Sequence, residues 1–186
     1  MDSYLEMICS TFKVEPGLVF LNAYKKNLEE ADTHFFSSCN LDINGKVVVE
    51  SIPERVKFFC KEMCHSKDIL IRKFRKGAIE MDPLLEHVMK DLKIKDAGKI
   101  FLLAHEYVEE MASHEDIEDI FFSFSTLNQS GIIVQPEIPE EVATYCQALL
   151  DKKVEYAFKP IKKNEIKDLK ISLKNKKKIK SKWKFE

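Results

Sequence analysis

Glycine is scarce in this sequence, with five in 186 residues. That leaves little room for a phosphate-cradling loop, a dinucleotide fingerprint or a nucleophile elbow, and none of these patterns occurs. Arginine is almost missing, at Arg55, Arg72 and Arg75 only, and Trp183 is the single tryptophan. No apolar run approaches the roughly 20 residues that a membrane span needs. The opening residues, Met1-Asp2-Ser3-Tyr4-Leu5-Glu6, have neither the basic nor the apolar region of a signal peptide. The five cysteines are an odd number without regular spacing, which argues against a secreted disulfide scaffold and for a reducing compartment. A cytoplasmic, intracellular protein is expected, or a nuclear one if the source is eukaryotic. No internal repeat stands out.

Charge is what the sequence has in quantity, and it is unevenly placed. Residues 152–186 hold fourteen lysines and four acids, a net of +10. The remaining chain holds sixteen basic and twenty-seven acidic residues, a net of −11. An acidic body of residues 1–151 followed by a basic, Lys-rich tail of residues 152–186, extended or partly disordered, is the expected domain plan. Such a tail suits an anionic partner, because each phosphate neutralised by a lysine releases a counterion.

The body reads as mostly α, one domain of seven or eight helices with a small β-hairpin. Apolar residues at helical spacing predict helices over 1–13, from Leu18 to about Ala31, from Glu54 to Cys64 and from Ser66 through Ile79. Further helices are predicted after Asp82-Pro83, from Ala97 to about Ala112, after Ser113, and from Pro139 to about Lys152. Asn44-Gly45 between Leu41 and Val49 predicts a hairpin with a two-residue type I′ turn. Read functionally, that hairpin would be the wing of a winged-helix domain, but too little chain precedes it. Ile132-Ile133-Val134 is a short extended segment suited to pairing with that hairpin. Ser51, with Pro53 and Glu54, has the pattern of a capping box.

Three groups of residues are candidates for function. The first is an acidic helical face of Glu106, Glu109, Glu110, Glu115, Asp116, Glu118 and Asp119, suited to a basic partner. The second is a basic surface for an anionic partner. It joins Arg72, Arg75 and Lys76 to Lys174, Lys176, Lys177, Lys178, Lys180, Lys182 and Lys184, with Trp183 able to stack on bases. The third is a weak metal candidate. His105-Glu106-Tyr107-Val108-Glu109 is similar to the His-Glu-x-x-His metalloprotease pattern but lacks its second histidine, so that His105, Glu109 and His114 would have to converge. No cofactor is expected. The leading expectation is a non-catalytic adaptor or regulatory protein that binds a protein partner. A nucleic-acid-binding protein is the alternative, and a metal-dependent hydrolase centred on His105 and Glu109 the third reading.

Overall fold

The computed structural model describes residues 1–66, 68–74, 80–108 and 114–156, and the Lys-rich segment beyond Tyr156 lies outside these. The described chain is mostly α, with eight helices and two small antiparallel hairpins. No described helix is long and apolar enough to cross a membrane.

The first helix, α1 (Ser3–Phe12), starts because the Asp2 carboxylate accepts the backbone N–H groups of Tyr4 and Leu5, and it stops at Lys13, whose φ is 52°. Pro16 opens α2 (Pro16–Ala23), its fixed φ matching a helical first turn. The single helix predicted to run to Ala31 is in fact broken at Tyr24. Asn27 starts a new helix, α3 (Leu28–Ser37), by accepting the Glu30 N–H at 3.2 Å. A capping asparagine in the middle of an apolar stripe outweighed the periodicity.

Strands β1 (Cys39–Leu41) and β2 (Val47–Val49) form the predicted hairpin, pairing Cys39 with Val49 and Leu41 with Val47. Its turn is wider than the two-residue form expected. The Asp42 carboxylate accepts the N–H groups of Asn44 at 2.8 Å and Lys46 at 2.9 Å, and only Gly45 takes positive φ. Helix α4 (Glu54–His65) then begins after Pro53, without the side-chain cap expected from Ser51.

The helix predicted from Ser66 is not present in the described residues 68–74, which carry no helix. Ile69 and Ile71 pack inward and alternate with exposed Leu70 and Arg72, an extended pattern rather than a helical one, and Phe74 packs inward after exposed Lys73. Buried Asn22 fixes this segment by donating to the Arg72 carbonyl at 2.9 Å and accepting the Arg72 N–H at 3.0 Å. Helices α5 (Pro83–Asp91), α6 (Ala97–Val108) and α7 (His114–Ser123) follow, then strands β3 (Thr126–Leu127) and β4 (Ile133–Val134), then α8 (Glu140–Leu150). Strand β4 pairs with β3 rather than with the first hairpin as expected.

This order is the same series twice: three helices, a hairpin, a helix. The expectation of no internal repeat is therefore overturned. Over residues 35–64, eleven of thirty positions are identical to the residue 86 places later, among them Phe35/Phe121, Leu41/Leu127, Gly45/Gly131, Pro53/Pro139 and Cys60/Cys146. Asp82 caps α5 as Asp2 caps α1, bonding the N–H groups two and three residues on. Lys93, like Lys13, follows its helix with positive φ. The repeat is hard to see in the sequence because its identities are single residues or runs of three, and the offset slips from 80 to 86 along the chain.

The two repeats exchange parts. One hydrophobic core is built from α1, α2, α3 and α4 but includes Leu127 of the second hairpin. The other is built from α5, α6, α7 and α8 but includes Leu41 of the first. Phe122, Val47 and Ile133 touch both. Each hairpin thus inserts its central leucine into the opposite repeat, the reciprocal pattern of a two-fold dimer interface contained within one chain.

Candidate functional site

Two glycine pairs hold the repeats together. A Cβ at Gly17, in the first turn of α2, would collide with the Gly131 carbonyl oxygen at the tip of the second hairpin. A Cβ at Gly98, in the first turn of α6, would collide with the Gly45 carbonyl oxygen at the tip of the first. Gly45 and Gly131 have φ values of 75° and 73°, which side chains disfavour. Four of the five glycines are thus spent on backbone contact between repeats.

Between these contacts lies a cleft of about 470 Å³, within the range of small-molecule sites. Its lining is drawn in equivalent pairs from both repeats: Phe35 with Phe121, Val47 with Ile133, Gly17 with Gly98. Met81 and Met89 add apolar wall. Where Gly45 meets Gly98, the lining is charged, with Lys46, Lys95 and Asp96. Where Gly17 meets Gly131, it includes Ile132, 47% exposed, together with Glu15. None of this was read from the sequence, and the signal that would have revealed it is the 86-residue offset.

Two acids brace the exchange. Glu118 on α7 accepts the Leu41 N–H of β1 at 2.9 Å. Asp32, its equivalent on α3, accepts from the Thr126 hydroxyl of β3 at 3.0 Å. Glu118 therefore has a structural partner within the chain. Of the other residues predicted for the acidic face, Glu106, Asp116 and Asp119 are exposed, while the Glu115 side chain, Glu109 and Glu110 lie outside the described part.

On the predicted basic surface, Arg72 is exposed. Arg75, Lys76, Lys174, Lys176, Lys177, Lys178, Lys180, Lys182, Trp183 and Lys184 lie outside the described residues. The weak metal candidate fares differently. His105 is 3% exposed, and neither ring nitrogen has a hydrogen-bond partner among the described residues. Glu109 and the His114 side chain are outside the described part, and among the described residues no three His, Cys, Asp or Glu side chains converge on a metal position.

The cysteines are placed for packing. Burial pushes the Cys9 thiol up to about 11, with the Glu15 charge adding to the shift. It pushes Cys39, Cys60 and Cys146 up to about 12, so at neutral pH these are thiols rather than nucleophilic thiolates. Cys64 is exposed, with its sulfur 3.6 Å from that of Met7. Compared with protein-family models, with curated proteins and with solved structures, the chain matches none.

Proposed function

We propose that this chain is a non-catalytic binding protein, an adaptor or regulator that joins macromolecular partners through charge. The observation that carries this reading is the partition of charge: a net of +10 over residues 152–186 against −11 before them. Opposite charges segregated along one chain attract two kinds of partner, and steer their approach, without any reaction. The exposed Glu106, Asp116 and Asp119 belong to the acidic set.

A nucleic-acid partner is the second reading, favoured by one observation. Asn22 holds the backbone of Arg72 on both sides while the arginine itself is exposed. The test compares the full chain with a full-length variant in which Lys174, Lys176, Lys177, Lys178, Lys180, Lys182 and Lys184 are all changed to Gln. Probes are poly-glutamate, single-stranded RNA and duplex DNA at rising salt. Poly-glutamate binding that weakens with salt and is lost in the variant supports the adaptor reading. Binding restricted to RNA or DNA, falling by about 10³-fold or more between low and physiological salt, replaces it with the second. No binding of any polyanion, or binding unchanged in the variant, overturns both.

A further inference from the structure

The repeat supplies an internal control for the cleft, because it shows which lining residues the fold demands and which it does not. The turn glycine is required in both hairpins. The residue after it is not: it is Lys46 in the first hairpin and Ile132 in the second. Both are exposed on the same cleft, so one end carries lysine ammonium groups where the other carries Ile132 beside Glu15. Lys95 is exposed at the lysine end as well, three residues before Gly98. No ion pair joins Lys46 or Lys95 to another described residue. Two carboxylates adjoin them: Asp42, which accepts the Lys46 backbone N–H at 2.9 Å, and Asp96, next to Lys95 in the chain. Glu15 belongs to the opposite end, beside Gly17.

From this polarity we infer that the cleft binds an amphipathic anion, such as a medium-chain carboxylate. Its head group sits against Lys46 and Lys95, and its apolar body lies along Val47, Met81 and Met89 toward Ile132. A head group paired with one or two ammonium groups gains charge-assisted hydrogen bonds that an uncharged analogue cannot make. The apolar body gains from leaving water in proportion to the area covered. The inference does not depend on the basic C-terminal segment, because every residue in it belongs to the two repeats.

The test uses the full chain labelled with [methyl-¹³C]methionine and titrated with decanoate below its micelle concentration, or with 1-decanol. Met81 and Met89 line the cleft, whereas Met63 is buried in the first core and reports whether the fold is intact. Decanoate is expected to shift the Met81 and Met89 methyl signals and to leave Met63 in place. Lys46→Ile copies the residue that the second hairpin already carries, so the turn accommodates it. Combined with Lys95→Gln, it is expected to weaken decanoate by about tenfold or more and to leave decanol unchanged. Three results would each overturn the inference: no shift at Met81 and Met89 with decanoate, decanol binding as tightly as decanoate to the unaltered chain, or decanoate affinity undiminished in the double variant.

Discussion

His105 is enclosed in the second repeat with both ring nitrogens unpartnered among the described residues, an arrangement that carries a cost. A buried polar group without a hydrogen bond costs about 1–3 kcal/mol. Replacing it by an apolar side chain of similar size removes the cost without opening a void. His105→Leu is therefore expected to raise unfolding free energy by about 1–2 kcal/mol in denaturant melts. A loss of stability would show that the imidazole holds a partner within the chain. The thiols give a second expectation at this scale. Their folded values, about 11 for Cys9 and about 12 for Cys39, Cys60 and Cys146, stand above the ordinary 9.0, so between these values the native state holds protons that the unfolded state has lost. Their contribution is complete below pH 9 and declines as pH rises toward 12. The Tm is expected to fall across that window. A Cys60→Val, Cys146→Val double variant is expected to fall less steeply in scanning calorimetry.

At the scale of elements, the two hairpins solve one packing problem with different chemistry. In the first, Cys39 pairs with Val49, an apolar couple. The equivalent couple in the second is Ser125 with Gln135. The Gln135 side-chain N–H donates to the Ser125 hydroxyl at 2.9 Å, and that hydroxyl donates to the Phe121 carbonyl at 2.7 Å. The hydroxyl proton is thus committed, the glutamine must present its amino group, and its buried Oε1 is left without a partner among the described residues. Removing one member strands the other, whereas replacing both with apolar groups is nearly neutral or stabilising. Ser125→Cys with Gln135→Val, grafting the first hairpin's couple, is expected to be more stable than the sum of its single variants by about 1 kcal/mol in a double-mutant cycle.

The elements also mark how far the sequence could be read. Helix starts carrying local chemistry, Asp82-Pro83 and Pro139, stand where that chemistry predicts. The segment after Ser66 was misread because Ile69, Ile71 and Phe74 satisfy a loose helical spacing, and what fixes them is a long-range pairing, Asn22 with Arg72, that no local window contains. The cleft was illegible for the same reason. Its walls are contributed by residues such as Phe35 and Phe121 that lie 86 positions apart, and only the scattered identities at that offset, Gly45 with Gly131 among them, announce the relation.

For the whole described body, the exchange of hairpins decides how it unfolds. Repeats that merely touched would each keep a core of their own and unfold separately. Here Leu41 completes the core of α5, α6, α7 and α8, and Leu127, with no exposed surface, completes that of α1, α2, α3 and α4. Neither core is whole unless the other repeat is folded, so the body is expected to unfold in one cooperative step. A truncation in either core costs about 2–5 kcal/mol. Because of the exchange, the local part of that cost falls on the opposite repeat. Leu41→Ala is expected to lower hydrogen-exchange protection first at Ile100 and Phe101 in α6. Leu127→Ala is expected to do so first at Val19 and Phe20 in α2. Two separate melting transitions, or protection lost first within the repeat that carries the substitution, would mean that the repeats hold their own cores and that the hairpins only decorate them.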